Sequence, residues 1–164
     1  MAKISLSGLD EYAKKLDKIG NAAVGVLKAS VYVGADELAN AVRASIEALP
    51  EEDYADVMRD WRERKPSDGI TDKQKQGLLD SLYISTIKDE DGYVYTQIGF
   101  AGYNDVKTAS YPQGQPNPLI ARSLESGSSA RKKHPFIRPA VNRVKQTALN
   151  RMQQQFEKMI DNIE

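Results

Sequence analysis

Apolar residues recur every three or four positions over two long tracts, one near each end of the chain, and alternate over a shorter tract between them. The first tract carries Val24, Leu27, Val31, Ala35, Leu38, Val42, Ile46 and Leu49, which share one face of an α-helix. It predicts a long helix over residues 22–49, stopped by Pro50. Gly25 and Gly34 lie inside it, each costing roughly 1 kcal/mol relative to Ala. The steps drift from a strict heptad, so the stripe reads as core packing rather than a coiled-coil seam. Upstream, Leu9, Tyr12, Ala13 and Leu16 mark a separate short helix ending at Ile19-Gly20-Asn21, and Ile4-Ser5-Leu6 alternates like a short strand. The last tract, Val141, Val144, Ala148, Met152, Phe156, Met159 and Ile163, predicts a second long helix after Pro139, with Arg143, Lys145, Arg151 and Lys158 on its outer face.

The middle of the chain is more polar. Tyr54, Val57, Met58 and Trp61 share a helical face, predicting a short amphipathic helix whose Trp61 fills the edge of the core or anchors an interface. Lys65-Pro66-Ser67-Asp68-Gly69 is a turn, and Thr71 with Gln74 has the spacing of a capping box for a further helix through Leu78 and Leu79. Leu82, Ile84 and Thr86, then Val94, Thr96, Ile98 and Phe100, alternate with their neighbours. Asp89-Glu90-Asp91-Gly92 joins them, predicting a β-hairpin with Gly92 in a positive-φ position. Residues 101–115 read as a long exposed loop, whose Tyr103 and Tyr111 pin it or meet a partner.

From Asn117 to Asn142 the pattern predicts a short helix, with Asn117 as cap, Pro118 at the first helical position and Gly127 at the exit. Pro135-Phe136-Ile137-Arg138-Pro139 is expected to run extended, since each proline biases its predecessor away from the α region. Between them, residues 128–134 read as a basic loop held out from an apolar clamp of Ile120, Leu124, Phe136 and Ile137. The expected fold is α+β: a small antiparallel sheet built on the central hairpin and packed by two long α-helices. One domain spans residues 1–164, with polar excursions at 51–76, 101–116 and 128–134.

Composition narrows the chemistry. Lys+Arg and Asp+Glu are each 23, so the formal net charge is zero, which argues against general nucleic-acid binding while leaving room for a local patch. There is no cysteine and one histidine, His134, so disulfides, thiol catalysis and Cys-ligated zinc are excluded. No segment has the length of a signal peptide's apolar core or of a membrane span, and the expectation is a soluble protein made in a cytoplasm. Phosphate-binding glycine loops, nucleophile elbows and zinc-binding helix motifs are missing. Asp89-x-Asp91-Gly92 resembles part of a calcium loop without its later ligands, and a hairpin turn explains it better. The acidic run of Glu47, Glu51, Glu52, Asp53 and Asp56 reads as a solvated helix end. Glu125 and His134 could approach as an acid/base pair, but no nucleophile or orienting group accompanies them. Arg131-Lys132-Lys133-His134, with Arg122 and Arg138 nearby, reads either as a solvated loop or as a contact for phosphate or an acidic surface.

The order of segments carries a resemblance. Gly8-Leu9-Asp10-Glu11 precedes the first helix, and a long helix ends in Pro50. Gly77-Leu78-Leu79-Asp80-Ser81-Leu82 leads into the hairpin, Leu124-Glu125-Ser126-Gly127 follows, and Pro135-Phe136-Ile137-Arg138-Pro139-Ala140 opens the last helix. Taken together this resembles the tail-component, or neck, proteins of tailed bacteriophages and prophages of the lambda and HK type. The chain departs from them in an insertion over residues 51–75, in Gln76 where Thr is usual, and in Ser126 where an aromatic precedes the glycine. The resemblance implies a non-enzymatic virion protein of the head–tail junction or tail end, without cofactor or membrane contact. Its implied partners are other neck and tail proteins, further copies of itself in a hexameric ring, and DNA in the lumen. The expected contact residues are Trp61, Tyr103, Tyr111, Arg122, Arg131, Lys132, Lys133 and Arg138. The alternative is a nucleic-acid-binding accessory module using the basic loop 131–138.

Overall fold

The computed structural model describes residues 9–163, so the strand expected at residues 4–6 lies outside the described residues. The architecture is α+β. Helix α1 (Leu9–Glu47) is followed by α2 (Tyr54–Arg62) and α3 (Asp72–Ser81). Four short strands come next, β1 (Leu82–Ile84), β2 (Lys88–Glu90), β3 (Tyr93–Tyr95) and β4 (Ile98–Phe100), before α4 (Asn117–Ser126) and α5 (Ile137–Asp161).

The two helices expected at the start are one. α1 runs unbroken through Ile19-Gly20-Asn21 for 39 residues. A Cβ at Gly20 would meet nothing within 4 Å, so this glycine serves no turn or close approach. Its penalty of roughly 1 kcal/mol is too small to end a helix with good formers on both sides. α5 packs antiparallel along α1: Ala140 shares a cluster with Val42 and Ile46, while further out Gly34 faces Met152 and Arg151 pairs with Glu37 at 2.8 Å. A Cβ at Gly34 would collide with the Met152 side chain, so this glycine lets the two helices approach. Nine residues beyond Met152, the end of α5 comes level with Gly25, nine residues before Gly34. The first turns of α1 therefore project past its partner.

The core gathers Val42 and Ile46 of α1, and Leu49 just past its end, with Ile70, Leu78, Leu82, Ile120, Leu124, Phe136 and Ala140. The hairpin forms as predicted, pairing β1 with β4 (Leu82↔Phe100) and β2 with β3 (Glu90↔Tyr93). Its turn is Asp91-Gly92, both at positive φ (54° and 82°), the combination a two-residue primed turn requires. The register shifts by one residue between the two ladders, where residues 85–87 oppose residues 96–97 in a bulge. Ser85 and Thr96 hold that bulge: Thr96 Oγ1 donates to Ser85 O at 2.7 Å and Gln97 N–H to Ser85 Oγ at 3.0 Å. Leu82, Ile98 and Phe100 face the core, and Tyr83 faces out.

Two expectations about prolines change. Asn117 does not cap α4; it is buried in the first turn, with its side-chain amide donating to Ala101 O at 3.0 Å, and Pro116 occupies the cap position. The Pro135–Pro139 stretch is not extended throughout, because α5 begins at Ile137 and takes Pro139 into its first turn. A missing N–H costs nothing there, since first-turn amides have no partner within the helix.

Candidate functional site

Two clusters of hydrogen bonds fix the ground on which the surface features stand. The first is at the start of α5, where no side chain of the cap residue Phe136 helps. Glu125, the penultimate residue of α4, fills the role instead: its carboxylate accepts the N–H groups of Phe136 (2.8 Å), Ile137 (2.9 Å) and Arg138 (3.0 Å). Burial pushes this carboxyl up, but the bonds from Ile137, Arg138 and Phe136, helped by the Arg138 charge, outweigh it and hold it below the ordinary Glu value. Glu125 is thus a helix cap. His134 turns elsewhere, with Nε2 3.2 Å from Asp68 and its backbone N–H donating to Leu124 O at 2.8 Å. The acid/base pair considered from sequence is not assembled.

The second cluster corrects the reading of the basic loop. Residues 128–131 form a tight turn, and the strip beyond it is stitched to residue 67: Ser67 N–H donates to Ala130 O at 3.0 Å and Lys132 N–H to Ser67 O at 2.9 Å. Arg131 is 6% exposed. Its guanidinium donates to Gly69 O and, at 3.0 Å, to Gln74 Oε1. Burial pulls its pKa down, opposed by the charge of Glu52, and it stays protonated. Gln74 completes the predicted capping box with Thr71 and passes a 2.6 Å bond from Nε2 to Gln115 Oε1. The 128–134 segment is therefore bound down at Arg131, and only Lys132 and Lys133 of its cations reach solvent. Lys132 lies 3.4 Å from Asp68. His134, then Lys132, lower the Asp68 pKa by hydrogen bonding.

Beside this ground α2 stands off the body. Its apolar face is the one expected, Tyr54, Val57, Met58 and Trp61, yet no residue of the helix is buried. Trp61 is 66% exposed, so it does not fill the core edge. The face looks across an open groove of about 860 Å³. Opposite lie Leu119, Ile120 and Ser123 of α4 and the loop from Val106 to Pro112, with Gln74, Gln115 and Arg131 at the base. That loop is less free than its composition implies. Val106 and Asn104 are buried, Gln115 N–H donates to Val106 O at 3.1 Å, and Thr108 and Tyr111 exchange backbone bonds at 3.1 Å. Gly77 explains how it docks: a Cβ there would stand 2.5 Å from Asn104 Cβ and 2.7 Å from Asn117 Oδ1.

A second hollow of about 500 Å³ continues the groove past Tyr54 and Val106. Glu52, Asp53, Asp72 and Asp105 line it against Lys73 and Lys107, and none of the four carboxylates belongs to an ion pair among the described residues. No three His, Cys, Asp or Glu side chains among the described residues converge as metal ligands.

Of the residues expected at contacts, Trp61 and Tyr111 line the groove and Arg131 forms part of its base. Tyr103 is exposed outside it, at the bridge with Pro116, and Arg122, Lys132, Lys133 and Arg138 are exposed elsewhere on the surface. Sequence reasoning saw Gln74 only as half of a capping box and Glu52 and Asp53 only as a solvated helix end; it missed Gln115 and the joining of Glu52 and Asp53 with Asp72 and Asp105, which are far apart in the chain. It also missed the bare stretch of α1, where Leu16, Val24 and Leu27 are exposed. No described helix is long and apolar enough to cross a membrane. No protein-family model, curated protein or solved structure matches the chain.

Proposed function

We propose that this chain is a non-catalytic assembly subunit of a phage particle, acting at the head–tail junction or tail end as one member of a ring, and residing in the virion. The observation that carries the reading is the groove beside α2: an apolar helix face with an exposed tryptophan, held open over a tightly bonded base. An apolar cleft of this size with aromatic rims suits a docking segment, and aromatic anchors are the usual centres of binding energy. The two ionisable groups best suited to acid/base work are engaged in capping α5 and in contact with Asp68. The partners of this reading are neck and tail proteins, further copies of the chain, and DNA in the lumen. The nucleic-acid alternative keeps Arg122, Lys133 and Arg138 as exposed cations outside ion pairs among the described residues but loses Arg131 to the interior.

Electron microscopy of particles assembled without this protein tests the reading. Full heads separate from finished tails are expected, with joining restored by adding the purified chain. Normally joined, infectious particles in its absence would remove it.

A further inference from the structure

We propose that the groove beside α2 receives the projecting end of α1 from a second copy of the chain, so that copies join head to tail. This deepens the ring reading by naming the two surfaces that meet. The convex half of the contact is the uncovered stripe of α1, where Leu16, Val24 and Leu27 are 56%, 42% and 37% exposed on one helical face. Leu16 to Leu27 spans about 16 Å at 1.5 Å per residue. An amphipathic helix laid by such anchors into an apolar cleft is a recurring docking mode.

Charge selects the same pairing. Lys14, Lys15 and Lys18 are exposed beside the stripe, with Asp17 the one exposed carboxylate among them, while the groove runs on into the hollow where Glu52, Asp53, Asp72 and Asp105 outnumber Lys73 and Lys107. A basic apolar helix and an apolar groove that leads into an acidic hollow are complementary on one molecule. Because α1 is unbroken and packed along α5 at its other end, it cannot fold back into its own groove; a second copy can present it. The two surfaces differ, so every copy offers one and accepts the other. Such a contact propagates and closes into a ring when the rotation between copies allows.

Sedimentation velocity on the full chain over a concentration series tests this. The wild type should assemble beyond a dimer. Leu16→Asp with Leu27→Asp should weaken association at least about tenfold, as should Val57→Asp in the groove. An equimolar mixture of the two variants should recover a heterodimer and nothing larger, since one intact surface remains on each. A wild type that stays monomeric, stops at a dimer, or associates unchanged in either variant overturns the proposal. Should Val57→Asp unfold, cross-linking decides, because the chain has no cysteine of its own. Leu16→Cys mixed with Trp61→Cys should give a mixed disulfide dimer, and neither variant alone should cross-link; no mixed dimer overturns the contact. The outcomes separate from those for the particle: copies that assemble but do not restore joining refute the virion role alone, and a monomer that restores joining refutes the contact alone.

Discussion

The two halves of α1 carry the same apolar periodicity and meet different fates. From Ala35 to Leu49 the stripe is covered by α5, α3 and the hairpin, and Ile46 is fully buried. From Leu16 to Leu27 it is continued in the same rhythm and left in solvent, while the side chains that pack closely there, Val26 and Ser30, lie off the stripe. A period of three to four residues identifies which face is apolar; it says nothing about what stands opposite. The same distinction separates Arg131 from Lys132, and α2 from α3. In each pair one member is held by the body, while the other is presented by it.

That contrast can be broken by measurement, beginning where the effect is largest. Ile46→Ala should lower unfolding stability by about 2–5 kcal/mol in urea titrations, the range for emptying a filled core site. Arg131→Met strands Gly69 O and leaves Gln74 Oε1 only the Thr71 N–H, and should cost about 2 kcal/mol, whereas Lys132→Ala should fall within about 0.5 kcal/mol of wild type. Equal effects of these neighbours would dissolve the contrast. Glu125→Ala removes the cap of α5 and should cost about 1 kcal/mol near neutral pH. The folded-state pKa of Glu125 is depressed, so its contribution is present above the ordinary carboxylate value and fades as pH falls through the depressed one. The gap between wild type and Glu125→Ala should therefore close in acid. Gly25→Ala, with nothing within 4 Å of the added methyl, should stabilise the chain by up to about 1 kcal/mol, while Gly34→Ala must displace Met152 and should gain less or lose. Leu27→Ala should leave the isolated chain within about 0.5 kcal/mol of wild type.

Much of the local structure was legible because its causes are local. Thr71 and Gln74 satisfy one another across a single turn, and Asp91-Gly92 supplies both positive φ values of the hairpin turn. The apolar face of α2 was equally plain, but its direction was not, because it is set by where α4 and the 106–112 loop come to rest. Ile19-Gly20-Asn21 has the look of a helix end, and only the competition between a small propensity penalty and continued helix formation decides otherwise. The burial of Arg131 depends on Ser67 and Gly69, more than sixty residues away, and nothing in the run Arg131-Lys132-Lys133 marks its first member as different. Glu125 was seen as a candidate acid; that it caps α5 follows from how the segment between the two helices folds back.

The account depends on the face of α2 being uncovered in the single chain and covered when it docks. Trp61 is the only tryptophan, so its fluorescence reports on that face without interference. In the dilute chain the emission should be that of a solvated indole, open to iodide quenching, and should shift to the blue with loss of quenching as copies or tail tubes bind. A blue-shifted, protected Trp61 in the dilute chain, unchanged on association, would contradict it.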